Sequence, residues 1–268
     1  MSKLLFAVAG TLALGLSVPV SAADLAARPY TKAPPMAAAE VYNWTGFYIG
    51  GHVGYGWGRS TTDTFSAAGA LLDTTSNDPG GAFGGGQIGY NWQFSPNWLI
   101  GVEADGSVSD IRGTTTTCSA TGCASGTGTT EDFGTVRGRL GYVINSVLLY
   151  GTGGWAWSES KTDRTVTCVV AGGGICPGGP SPSALTGAVA SASGSQSGWV
   201  AGAGVEWMFA PHWTAKLEYQ HMEFDNVARD LSYPGFPTAF RHNVSDSRID
   251  TVRVGVNYIF GGPSVTRY

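Results

Sequence analysis

Charge is scarce in this chain. Only 13% of its 268 residues are Asp, Glu, Lys or Arg, and the formal net charge is −4. Soluble domains carry about 25% charged residues, and a nucleic-acid binder needs a basic stripe that no segment here supplies. Histidine is also sparse. His52, His212, His221 and His242 lack the spacing of a metal site or a catalytic pair. Beyond the N-terminal stretch, no apolar run approaches the roughly 20 residues of a spanning helix. That absence does not exclude membrane strands, because each such strand is only half apolar. The four cysteines fall into two local pairs, Cys118 with Cys123 and Cys168 with Cys176, both in Gly/Ser/Thr-rich stretches. In an exported protein this predicts one disulfide within each stretch. Zinc is the weaker alternative, since neither spacing forms a knuckle and no histidine lies near.

Glycine and aromatics are plentiful instead, with 41 Gly and 12% Phe, Trp and Tyr. The first residues have the layout of a secretory leader. Lys3 is the charged start, Leu4 to Leu16 the apolar stretch, and Val20-Ser21-Ala22-Ala23 the small-residue exit. Residues 1–22 are therefore expected to be a signal peptide, cleaved after Ala22 or Ala23. Residues 23–43 are rich in Ala and Pro and read as a periplasmic linker.

From Trp44 onward the pattern is alternation with a period of two, the signature of strands with one apolar face. Phe47, Ile49, Val53, Tyr55 and Trp57 share one face of the first strand; Tyr48, Gly50, His52, Gly54 and Gly56 share the other. Seven more strands are expected, at about 82–94, 98–107, 133–142, 147–158, 199–209, 213–220 and 250–260. The faces of the strand at 147–158 cannot be assigned from the pattern. Tight turns near 95–97, 143–146 and 210–212 alternate with long connections at about 59–80, 108–131, 159–197 and 225–248. Short turns on one side and long loops on the other predict an all-β fold: an eight-stranded antiparallel up-and-down transmembrane β-barrel over residues 44–260. An even strand number leaves both ends of the barrel on the periplasmic side.

A soluble barrel shows the same alternation with its faces exchanged. Two features favour the membrane form. The polar faces carry many glycines, which suits a narrow interior. The apolar faces carry Trp57, Trp92, Phe94, Trp98, Tyr142, Trp207, Phe209, Trp213, Tyr258 and Phe260 near strand ends, the expected girdle at the headgroup level. The polar faces also carry four acids, Glu103, Asp105, Glu206 and Glu218, and four bases, Arg137, Arg139, Lys216 and Arg253. In a lumen just wide enough for side chains, such charges must pair. They are expected to form a salt-bridge network that plugs the barrel.

Several segments carry the look of a known family. They are Asn43-Trp44-Thr45-Gly46-Phe47-Tyr48-Ile49-Gly50-Gly51, Gly84-Gly85-Gly86-Gln87-Ile88-Gly89-Tyr90-Asn91, Val136-Arg137-Gly138-Arg139-Leu140-Gly141-Tyr142, Lys216-Leu217-Glu218-Tyr219 and Val252-Arg253-Val254-Gly255-Val256-Asn257-Tyr258. In that order, the set resembles the RopB-type outer-membrane proteins of alphaproteobacteria, also called porin-family or surface-antigen proteins. The resemblance implies an eight-stranded barrel in the outer membrane, surface exposure, and roles in envelope integrity and host interaction. It brings no catalytic residues. One departure is the end of the chain: the strand pattern stops at Phe260, and Gly261 to Tyr268 follow as a tail. Outer-membrane proteins commonly end in an aromatic residue that the barrel-assembly machinery reads.

The glycine clusters at 54–58 and 84–89 precede no helix and are strand glycines, not nucleotide loops. Asp225, Asp230, Asp246 and Arg241 lie near His221 or His242, but no motif orders them as a hydrolase site. The expectation is a non-enzymatic structural and surface-interaction protein without cofactor or metal. Its expected partners are outer-membrane lipid, lipopolysaccharide and cell-surface ligands, with no nucleic acid. The runner-up is a porin with a narrow channel, disfavoured because aqueous pores belong to barrels of about 16 strands.

Overall fold

The computed structural model describes residues 42–66, 69–119, 122–168, 187–233 and 236–261. The expected leader, nearly all of the 23–43 segment, Cys176 and the tail after Gly261 lie outside the described residues. Nine strands follow one another: β1 (Gly46–Ser66), β2 (Leu71–Asn77), β3 (Gly80–Ser95), β4 (Trp98–Ser119), β5 (Gly122–Ile144), β6 (Val147–Cys168), β7 (Ala188–Ala210), β8 (Trp213–Tyr233) and β9 (Phe236–Phe260). All neighbouring pairs are antiparallel, and β1 also pairs with β9, so the sheet closes on itself.

The short strand β2 does not add a stave. β2 and β3 pair with successive stretches of the same edge of β1, at Ser60–Phe65 and Gly46–Trp57. Asp78 and Pro79 interrupt what is otherwise one line of pairing, and proline cannot donate to a ladder. The ring therefore has eight staves, as the alternation predicts. Stepping across register partners from Phe47 through Tyr90, Val102, Gly138, Gly153, Ala201, His221 and Asp250 returns to β1 at Trp57, ten residues further on. That stagger is the shear of the barrel, and it obliges the strands to tilt.

The strands are longer than expected. Apart from β2, they run from 16 to 25 residues, and the segments read as long loops are largely hairpin extensions of the barrel. The pairs Thr114↔Thr127, Thr162↔Ala192 and Arg229↔Asn243 all lie inside them. These stretches alternate hydroxyl with hydroxyl or charge, so no apolar signal marks their faces. Their frequent threonines nevertheless favour extended backbone, and each ladder step satisfies an N–H and a C=O. Cys118 and Cys123 are register partners near the tip of the β4–β5 hairpin and form a disulfide. The pairing expected for Cys168 and Cys176 lies outside the described residues.

Three two-residue turns join the other strand ends, at Pro96-Asn97, Asn145-Ser146 and Pro211-His212. Asn145 and His212 take positive φ, 52° and 69°, a conformation asparagine adopts readily. The second residue of each turn also accepts a backbone N–H from a neighbouring strand: Val143 to Asn97, Met208 to Ser146 and Ile259 to His212, each at 2.8 Å. The short turns are thereby stapled to one another around the rim.

Outward positions form an apolar belt. Phe47, Ile49, Val53, Ile88, Val102, Leu140, Leu217 and Val254 are all exposed, an arrangement a soluble protein avoids over so large an area. Trp92, Phe94, Trp98, Tyr142, Trp207, Phe209, Trp213 and Phe260 point outward beside the short turns, with Tyr258 half-buried among them. Trp57 lies at the far side of the belt with Tyr55, Trp155, Trp199 and Tyr219, four residues the sequence reading left out of the girdle.

The interior begins with an apolar layer at the short-turn end. Trp44, Tyr48, Leu99, Val143, Leu148, Tyr150, Met208 and Ile259 pack there. Trp44 precedes the first strand, yet it is fully buried, and its backbone N–H donates to Gln93 Oε1 at 2.9 Å. Leu148 and Tyr150 also explain why β6 could not be oriented: its inward face is apolar at this level, as its outward face is with Leu149 and Trp155. Trp44→Ala should empty the base of the lumen and lower unfolding stability by about 3–5 kcal/mol, measured by urea titration in detergent. A change below about 1 kcal/mol would show that Trp44 does not seal the base.

Candidate functional site: the interior of the barrel

Along each strand, residues two apart return to the same face. This period carries the charged residues of five strands into the lumen: Glu103 and Asp105 from β4, Arg137 and Arg139 from β5, Glu206 from β7, Lys216 and Glu218 from β8, and Arg253 from β9. All eight side chains are at most 1% exposed.

They form one connected network. Arg137 is its hub, bonded to Glu103, to Asp105 Oδ2 at 2.9 Å and to Glu218 Oε1 at 2.6 Å. Arg139 reaches Glu206 Oε2 at 2.6 Å and Glu103 Oε2 at 3.5 Å. Lys216 donates to Glu103 Oε1 at 3.0 Å, and Arg253 to Asp105 Oδ1 at 3.1 Å. β4 and β8 stand on opposite sides of the ring, so the Lys216–Glu103 pair crosses the whole lumen. Four acids meet four bases. The cluster is neutral, which a buried array of charges requires.

Neutral side chains take up much of the remaining hydrogen-bonding capacity, while Arg139 Nε and Arg253 Nε have no hydrogen-bond partner among the described residues. The Tyr48 hydroxyl donates to Glu103 Oε2 and accepts from Arg139, both at 2.7 Å. The Tyr150 hydroxyl donates to Glu218 Oε2 at 2.7 Å. The Arg139 guanidinium lies 4.1 Å from the centre of the Tyr150 ring and 5.5 Å from that of Tyr48. Asn257 donates to Glu206 at 2.7 Å, and Gln87 donates to Asn257 at 2.6 Å. His52 bonds Gln87 through Nδ1 and Ser107 through Nε2. Thr135 donates to Asp105, Gln220 donates to Glu218, and Arg253 donates to Gln220.

Two glycines make this arrangement possible. Gly89 is the register partner of Tyr48, and Gly204 that of Tyr150. A Cβ on either would collide with the tyrosine ring lying over it. Gly89 and Gly204 are thus seats for aromatic rings that carry hydroxyls to the carboxylates.

Sequence parity put the charges on the polar faces together with most of these partners, but it did not show which side chains bond the charges. Tyr48, His52, Gln87, Gln220 and Asn257 share faces with Gly or charge in the sequence, and that placement was their only signal. Above the network lies a second apolar layer of Phe83, Ile111, Phe133, Ala156, Val200, Met222, Phe224 and Ile249. The face of the Phe83 ring meets the Arg253 guanidinium at 5.7 Å. The charged plug is therefore capped by hydrophobic side chains at both ends.

No group of three or more His, Cys, Asp or Glu suited to a metal occurs among the described residues. His221 bonds Asp250 Oδ1 at 2.8 Å, Tyr219 donates to the same oxygen at 2.6 Å, and Trp199 packs on the imidazole. All of these side chains point outward at the far edge of the belt, and no serine joins them. Asp225 and Asp230, read as loop residues, lie on the β8 extension.

The chain matches the family described as "Outer membrane protein beta-barrel domain" over residues 10–260. It is 32% identical over 240 residues to the 31 kDa outer-membrane immunogenic protein of Brucella melitensis, covering 85% of this chain and 88% of that protein. It is 28% identical over 251 residues to the 25 kDa outer-membrane immunogenic protein of Brucella canis, covering 91% and 93%. It is 27% identical over 224 residues to the 22 kDa outer membrane protein of Rhizobium leguminosarum, covering 81% and 79%. These relatives bear out the resemblance that the strand motifs carry.

Removing one partner from a buried ionic network leaves the others uncompensated. Arg137→Leu takes a cation from Glu103, Asp105 and Glu218 at once, leaving the network with one unmatched negative charge, and should cost about 3–5 kcal/mol of stability. Arg137→Lys should recover only part of that, because an ammonium cannot copy the planar fork. Equilibrium urea unfolding in detergent tests both, and an unchanged midpoint for Arg137→Leu would remove it from the hub.

Proposed function

We propose that this chain, which belongs to the outer-membrane β-barrel protein family and resides in the outer membrane, is a non-conducting structural protein that presents its extracellular hairpins for surface contacts. The single observation carrying this reading is the filled lumen: a neutral, fully buried network of eight charges between two apolar layers. An ion entering it would have to break charge-assisted bonds and cross hydrophobic constrictions without its hydration shell. The apolar belt with aromatics at both edges gives lipid a continuous contact surface. Beyond it, exposed Asp110, Arg112, Lys161 and Arg248 stand where lipopolysaccharide headgroups and neighbouring cells are met.

The relatives' designation as immunogenic outer-membrane proteins supports exposure of these hairpins. A porin reading requires a water path, and the packed layers work against one.

Planar-bilayer recording on refolded protein tests the closed lumen, with folding first confirmed by the gel-mobility shift between unheated and boiled samples. The expected result is no channel steps. Reproducible single-channel steps would overturn the proposal and make the interior charges selectivity residues. For the surface role, joining Arg164 directly to Ala190 through a two-residue turn should abolish binding of expressing bacteria to cell surfaces. Binding that survives would exclude the β6–β7 hairpin.

A further inference from the structure

Above the second apolar layer the barrel continues as a hydroxyl-lined chamber. Its volume is about 130 Å³, roughly ten times what one water needs and enough for a single sugar ring. Ser60, Thr62 and Thr64 of β1 line it together with Thr115 and Thr117 of β4 and with Ser245 of β9, the register partner of Thr62. Each hydroxyl both donates and accepts. Such a wall suits a polyhydroxylated guest.

The charges of this extracellular half are sorted by face. Asp110, Asp132, Glu159, Asp163, Glu223 and Asp246 occupy outward positions. Among residues with described side chains, the two arginines of this half that point inward are Arg164 and Arg229, both lining the chamber. Arg229 donates to Ser160 Oγ at 2.9 Å and to the Gly194 carbonyl at 3.1 Å. Its Nε is buried with no hydrogen-bond partner among the described residues. Gly194 makes room for it, since a Cβ there would come within 3.2 Å of that Nε. Burial lowers the Arg229 pKa below the ordinary arginine value, the direction expected of a cation without an anion beside it. Arg164 lies four residues further along β6 than Ser160, about 13 Å higher along the strand. It donates to Thr64 Oγ1 on β1, on the opposite side of the ring, at 3.3 Å. One guanidinium thus stands in the chamber wall and the other spans its mouth.

We propose that this chamber is a binding site for an anionic sugar, with Arg229 and Arg164 taking its phosphate or carboxylate and the Ser/Thr wall its hydroxyls. Guanidinium forks match both oxyanions in geometry. The site is separate from the charge network, which is already neutral and lies beyond the second apolar layer.

Isothermal titration of the refolded protein at low ionic strength tests this with sodium glucuronate, glucose 6-phosphate and uncharged glucose. Saturable binding of at least one anionic sugar is expected, with glucose at least tenfold weaker. Arg229→Gln should weaken the anionic sugar tenfold or more. Arg59→Gln, an outward arginine beside Asp78, should leave it unchanged. A glucuronate-terminated tetrasaccharide that binds more tightly than free glucuronate would identify the end of a polysaccharide as the source; equal or weaker binding would identify a free sugar. Absence of saturable binding to demonstrably folded protein, equal binding of glucose, or wild-type affinity in Arg229→Gln would overturn the proposal. Should Arg229→Gln fail to show heat-modifiable migration, Arg229→Lys and Arg164→Gln carry the same comparison.

Discussion

Everything in this molecule depends on the β1–β9 ladder. Inside a bilayer, an unpaired backbone N–H or C=O has no water to turn to, so a sheet can cross only if it has no edge. The ladder runs over Phe47 to Ser66 on one side and Phe260 to Arg241 on the other, so closure extends well past the apolar belt. Once the ring closes with eight staves and a ten-residue stagger, the lumen width is set. Its contents follow from that width: side chains with nowhere else to go, glycines where a ring must lie flat, and charges in equal number.

The interior is layered along its axis. An apolar base around Trp44 is followed by the ionic network, then by the Phe83–Phe133 layer, then by the hydroxyl chamber. Each layer answers a different requirement. The apolar layers contribute packing and exclude water. The network holds opposite walls together through directional bonds such as Arg137 to Glu218 and Lys216 to Glu103. The chamber exposes polar groups to the outside, where water and sugars can meet them.

Much of this was legible in the sequence because a membrane strand writes its two faces in alternate letters. The eight staves, the short turns and the eight interior charges all follow from parity. What parity cannot carry is what the structure added. β6 has apolar residues on both faces, so its orientation waited on Leu148 and Tyr150 being buried. The outer hairpins were taken for loops because threonine and serine fill both faces, although their backbones pair as fully as the rest. Trp44 shares the parity of Tyr48 but precedes the first strand, so alternation alone does not show that it seals the base. The tyrosine-over-glycine seats depend on register, and register is a property of two strands that neither strand states alone.

The network also bears on how the chain assembles. Glu103 stands directly opposite Arg137, Glu206 opposite Lys216, and Glu218 opposite Arg253. Each of these is an adjacent-strand pair, so a hairpin formed before closure already carries a partner for its own charge. A β8 that slipped by two residues would set Glu218 against Glu206 on one side or Lys216 against Arg253 on the other, like charges facing each other. The plug acts as a proofreader of its own barrel.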